Sequence, residues 1–152
     1  LQHGYRKLPG WEPEFRAPAY FRGMINSQEL RPGNTVLLKQ EGRIRPTKIE
    51  VAHFALLAAG KTADFFPVLL KDDVLLQQGF VENKEYALYP QAREFRRVLA
   101  VKGKEHHELL AYQKSNGDCL AWATVNGVTA SNPVRHLHQL QNLHHALTGE
   151  EL

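Results

Sequence analysis

From Glu29 to Val125 the apolar residues come in short groups separated by turn-forming residues; only after Asn132 do they fall into a helical stripe. Pro32-Gly33-Asn34 is a turn signal, and Thr35-Val36-Leu37-Leu38 after it reads as a strand. Glu41-Gly42 marks a second turn. Ile44 to Val51 alternates in part, with Pro46 placing its first half at a sheet edge or bulge. His53 to Ala59 is an apolar run stopped by Gly60, and it reads as a further strand. Phe65 to Leu70 is another short apolar segment. Short strands with tight turns imply a small curled sheet of the kind found in SH3 barrels.

Lys71 to Phe80 has the pattern of a short helix. Asp72 and Asp73 suit its positive N-terminal end, Gly79 the left-handed position past its C-terminus, and Phe80 the apolar contact that folds back. Strands follow at Tyr86–Tyr89, Phe95–Val101, Leu109–Gln113 and Cys119–Val125. In the second of these, Phe95, Arg97, Leu99 and Val101 share one face. Asn116-Gly117 predicts a two-residue turn with positive φ at both positions, and Asn126-Gly127 closes the last strand. The resulting antiparallel meander needs a cover on its apolar face. Asn132 as cap, Pro133 in the first turn, and Leu137, Leu140, Leu143 or His144, and Leu147 predict a helix of about four turns, ended by Gly149. The expected fold is α+β, a single domain over residues 24–152. Residues 24–70 form its small β part and residues 71–152 a helix–meander–helix. Residues 1–23, with three prolines, are expected to form an extended arm outside the core.

Composition narrows the picture. At 152 residues, 43% of them hydrophobic, the chain is long enough for one packed core. A single cysteine, Cys119, forbids an intrachain disulfide and fits a reducing, cytoplasmic setting. No apolar run approaches the ~18 residues of a membrane span, and Pro, Arg and Glu interrupt the N-terminal segment where a leader would need an apolar stretch. The formal net charge of +3 permits contact with nucleic acid or an anionic surface without requiring it.

Candidate chemistry starts with the histidines, four of which lie between Val134 and Leu152. Two histidines on a helix share a metal at i and i+3 or i+4. Here His136 is followed at i+4 by Leu140, His138 by Asn142 and His144 by Thr148, while His138 and His145 stand two turns, roughly 10 Å, apart. These spacings indicate packing or surface histidines. A metal-dependent enzyme would need Glu105-His106-His107-Glu108 brought beside His136, His138, His144 or His145. Cys119 has no cationic neighbour in sequence to make it a thiolate and reads as an inert strand residue. Phosphate loops, G-x-G-x-x-G, G-x-S-x-G and C-x-x-C are all missing from the sequence. No catalytic residue, metal or cofactor is therefore expected. Two basic clusters remain, and they nominate Arg43, Arg45, Lys48, Arg93, Arg96, Arg97 and Lys102 as nucleic-acid contacts, the second cluster interleaved with Tyr89 and Phe95. The plainer reading of both is edge strands protected by charge.

Three motifs add a resemblance. Leu30-Arg31-x-Gly33-Asn34-x-Val36, Leu75-Leu76-x-x-Gly79-Phe80, and His138-Gln139-Leu140-Gln141-Asn142-Leu143 with Ala146-Leu147-Thr148-Gly149-Glu150-Glu151-Leu152 occur in that order. Together they resemble an uncharacterised family of small proteins found in Bacteroidetes genomes, prophages and mobile elements. Its members open on L-R-x-G-N-x-V and end on H-Q-L-Q-N-L-Y-F-A-L-T-G-E-E-L. Such chains start a few residues before the first motif, which suits Met24 as a start. This sequence departs at Lys71, where the family has a capping Thr, and at His144-His145, where the family has an aromatic pair. The resemblance implies an accessory protein of a phage or mobile element and names no reaction. The leading expectation is a non-enzymatic accessory or interaction protein with an unknown protein partner and no membrane association. The alternatives are a nucleic-acid-binding module using the basic strands, and a metal-dependent enzyme with a His/Glu site.

Overall fold

The computed structural model describes residues 25–84, 92–99 and 103–152. The fold is α+β, and the chain divides into two compact units between Val68 and Leu69. Among the described residues no helix is long and apolar enough to cross a membrane.

In the first unit, a 3-10 turn (Ser27–Glu29) leads into Pro32-Gly33-Asn34, which locks onto the far end of the following hairpin. The buried Asn34 accepts the Arg31 N–H through Oδ1 at 2.7 Å, and its carbonyl accepts the Ile49 N–H at 2.7 Å. Strands β1 (Thr35–Gln40) and β2 (Arg43–Lys48) pair antiparallel, and β3 (Phe65–Phe66) joins the other side of β1, giving the order β2-β1-β3. Glu41 and Gly42 take φ values of 52° and 74°, the two left-handed residues of a tight hairpin turn. Ile25, Leu30, Val36, Leu38, Ile49, Leu57 and Phe65 form the core, with Phe54 packed against it. Among the described residues this small sheet has three strands.

The strand expected at His53–Ala59 is instead helix α1 (Val51–Ala58). The segment is rich in Ala and Leu, strong helix formers, and lacks the alternation a half-buried strand needs. His53 accepts the Glu50 N–H at 2.9 Å to fix the first turn. Phe54 and Leu57, three apart, meet the core. The Gly60 and Lys61 N–H groups close the end on the Leu57 and Leu56 carbonyls.

In the second unit, helix α2 (Asp72–Gln77) ends as its sequence implies. The Phe80 and Gly79 N–H groups return to the Leu75 and Leu76 carbonyls, both at 3.1 Å, and Phe80 and Leu75 are buried together. Strands β4 (Val81–Asn83), β5 (Arg93–Val98), β6 (His107–Gln113), β7 (Cys119–Val125) and β8 (Val128–Thr129) follow in spatial as in chain order, all antiparallel. The strand expected at Tyr86–Tyr89 lies outside the described residues, as do Val101 and Lys102. Phe95, Ala111 and Ala121 stand opposite one another across β5, β6 and β7, with Leu109 opposite Ala123; all five are fully buried. Helix α3 (Leu137–Thr148) packs against β7, where the alanines leave room for it.

Asn116-Gly117 forms the tip of a three-residue loop, not a two-residue turn. Lys114 pairs with Asp118, the Gly117 N–H closes on the Lys114 carbonyl at 2.9 Å, and only Gly117 has positive φ. Asn116 uses its side chain to accept the Asp118 N–H at 3.0 Å, which a two-residue turn would not allow. Asn126-Gly127, at 51° and 81°, does form a two-residue turn with both residues left-handed, as Glu41-Gly42 does. Helix α3 starts at Leu137, not after Asn132, because the intervening backbone is engaged elsewhere. Val134 exchanges two hydrogen bonds with Ala121, the Leu70 N–H donates to Arg135, and Ser131 Oγ accepts the Ala123 N–H. His136 then caps the helix, with Gln139 Oε1 accepting its N–H at 3.2 Å. The buried positions of α3 are Leu137, His138, Leu140, Gln141 and His144, whereas Leu143 and Leu147 are half-exposed.

Candidate functional site

The hairpin register determines which basic residues of the first unit meet. Val36 stands opposite Thr47, Leu38 opposite Arg45 and Gln40 opposite Arg43, so these six share one face of the sheet. Val36 and Leu38 belong to the core, yet Gln40, Arg43 and Arg45 are exposed. The core face therefore continues into a polar groove of about 810 Å³, in which Leu38, Gln40, Arg43, Arg45, Thr47 and Asp64 take part. Thr47 Oγ1 donates to the Arg45 carbonyl at 3.2 Å. Among the described residues, no carboxylate lies within ion-pairing distance of the Arg43 or Arg45 guanidinium. Lys48, the third basic residue singled out here, falls on the opposite face. Gln40, Thr47 and Asp64 were not candidates on sequence grounds. The signal for the first two was present: a two-residue turn at Glu41-Gly42 fixes Gln40 opposite Arg43 and, four pairs on, brings Thr47 to the same face.

The basic cluster of β5 is used differently. Arg93 donates to Glu82 at 2.8 and 3.0 Å, to Asp72 at 2.7 Å and to Gln113 at 3.1 Å, with its guanidinium 5.1 Å from the Phe95 ring centroid. The hydrogen bonds that Arg93 donates to Glu82 and Asp72 raise it above its ordinary pKa. The same Arg93 contact lowers Glu82. Burial works to raise Asp72, but Arg93 and the Asp73 N–H outweigh it and the carboxyl falls below its ordinary value. Arg96 bridges Glu94 (2.9 Å) and Glu108 (3.3 Å). Glu94 is fully buried, and it also accepts hydrogen bonds from Tyr112 at 2.8 Å and Asn83 at 2.6 Å. Burial pushes its pKa up, and the Arg96, Asn83 and Tyr112 hydrogen bonds together bring it below the ordinary carboxylate value. Arg97 donates to the Gln78 carbonyl at the end of α2. The arginines of this strand thus hold their own unit together. Lys102 lies outside the described residues.

The histidines pack or pair locally. The His136 and His138 rings stack at 5.8 Å, and His138 is buried. Burial lowers the His144 pKa, and its Nδ1–H donates to the Glu150 carbonyl at 3.0 Å. His106 pairs with Glu108, and His107 with Glu105 at 2.9 Å. Among the described residues no three His, Cys, Asp or Glu side chains are grouped so as to hold a metal ion. The Cys119 thiol is pushed up to about 12, first by burial and then by Asp72 and Asp118, which leaves it a poor nucleophile. Comparison with protein-family models, with curated proteins and with solved structures gives no match.

Proposed function

We propose that this protein is a non-enzymatic, cytoplasmic interaction module, and that the groove of its first unit holds an extended anionic segment of a partner protein. The observation that carries the reading is the placement of Arg43 and Arg45. Both are exposed on the face whose other end is the core, and both border the same groove. Two further features favour a protein over a nucleic acid. Arg93, Arg96 and Arg97 are engaged by hydrogen bonds within their own unit. The groove residues include Asp64 and no aromatic side chain on which a base could stack. The motif resemblance supports an accessory role in a phage or mobile element.

Fluorescence anisotropy of the full chain tests the proposal, with a labelled glutamate-rich peptide and labelled single-stranded and duplex oligonucleotides at low and physiological salt. The expected result is peptide binding that Arg43→Glu/Arg45→Glu weakens by about thirtyfold, two charge reversals at about 1 kcal/mol each. Oligonucleotide binding that persists at physiological salt, with no peptide binding, would refute it in favour of the nucleic-acid alternative.

A further inference from the structure

Resting on that reading of the groove, we infer that its ligand is a phosphorylated side chain, carried on an extended segment with a basic residue beside it. Arg43 and Arg45 are alternate residues of one strand, so their Cα atoms stand about 6.8 Å apart with both side chains on the same face. Each guanidinium presents a planar fork of donors. A carboxylate has two oxygens and satisfies one fork. A phosphoryl dianion has three free oxygens and twice the charge, so it engages two forks at once. Gln40, directly opposite Arg43, adds an uncharged amide donor at the same end of the face. The volume of about 810 Å³ exceeds what one side chain fills, leaving room for its neighbours in the segment. Lys39 also borders the groove, and so do the carboxylates of Asp64 and Glu41. The two carboxylates oppose a continuous polyanion, tolerate a single dianion, and offer a pairing site to an adjacent lysine or arginine. The mixed charge of the groove therefore complements a phosphate with a cationic flank, and not a nucleic-acid backbone.

The test compares two labelled peptides, Lys-Ala-X-Ala-Lys with X either phosphoserine or glutamate, titrated with the full chain and with Arg43→Lys/Arg45→Lys. That double variant keeps both charges and removes both forks. Thermal unfolding followed by circular dichroism confirms that it is folded. The expected result is a preference of about tenfold or more for the phosphopeptide in the native chain, falling to about two- to threefold in the lysine variant. Equal affinity for the two peptides in the native chain would overturn the inference and leave the anionic-segment reading standing. A preference that survives in the lysine variant would also overturn it, because charge alone would then explain the selectivity. Failure of these peptides and of the glutamate-rich peptide alike would overturn both. Displacement of the phosphopeptide at physiological salt by an oligonucleotide that itself binds more tightly would replace both with a nucleic-acid site.

Discussion

Tyr112→Phe isolates one bond of the buried network on the five-stranded sheet. Tyr112 is 8% exposed and Glu94 is 0% exposed, so water does not replace the lost hydroxyl easily. The change removes the 2.8 Å hydrogen bond to Glu94 Oε1 and leaves the ring, including its contact with Trp122, in place. A hydrogen bond to a charged acceptor is worth about 1.5–3 kcal/mol. Asn83 and Arg96 both donate to Oε2, so neither takes over at Oε1 without rearrangement. At roughly 3 °C per kcal/mol for a chain of this size, the melting temperature at pH 7 falls by about 5–9 °C. Acid titration supplies the internal control. The folded pKa of Glu94 lies below the ordinary 4.5, so its contribution is complete above pH 4.5 and is lost as pH falls through the depressed value. The native chain therefore loses more stability than Tyr112→Phe as pH falls below 4.5 through the depressed value, and the two melting curves converge in acid. A melting temperature within about 1 °C of native at pH 7 would refute the reasoning, since the hydroxyl would then contribute nothing to holding the carboxylate.

Three further outcomes follow from burial and charge. Leu140→Ala, at a fully buried position, costs about 2–5 kcal/mol by urea denaturation, whereas half-exposed Leu143→Ala costs markedly less; equal losses would mean that the stripe of α3 is misplaced. His144 has a folded pKa below 6.5, so its neutral form stabilises the fold fully above pH 6.5 and that stability drains as pH falls through the lowered value. His144→Phe should flatten the dependence of melting temperature on pH below 6.5, and an unchanged slope would argue against the buried neutral imidazole. Cys119 should resist iodoacetamide at pH 8 in the folded chain and react once urea unfolds it; rapid labelling of the folded chain would contradict its burial.

The parts of this fold that were legible in the chain are those set by local chemistry. Gly79 and Phe80 announce the end of α2 because the left-handed glycine and the returning apolar residue are adjacent in sequence. Asn126-Gly127 is readable as the end of β7, though not as the turn that leads into β8. The segment 53–59 was misread because an apolar run without alternation suits a buried strand or a helix equally, and the capping role of His53 has no distinct sequence signature. The start of α3 was misread because a distant event decides it: Val134 is held by Ala121, and no rule confined to Asn132-Pro133 contains that pairing. At the candidate site, composition identified Arg43 and Arg45 as basic but could not separate them from Arg93 and Arg96. The difference lies in Asp72, Glu82, Glu94 and Glu108, three of them distant in sequence from the arginine they pair with. Strand pairing brings up Glu82 and Glu108, and the start of α2 brings Asp72 to Arg93.

The extended passage from Ser131 to His136 also bears on the order in which the protein takes shape during synthesis. The core of the first unit joins Ile25 to Phe65, and all its partners have been made once residue 68 leaves the ribosome. The second unit has no such early closure. Leu70 waits for Arg135, and Ala121 for Val134. Until those late residues arrive, the apolar face formed by Phe95, Leu109 and the alanines has no α3 against it. A ribosome stalled before codon 134 would thus display a finished first unit followed by a sticky, unsealed meander, the species most exposed to chaperones and proteases.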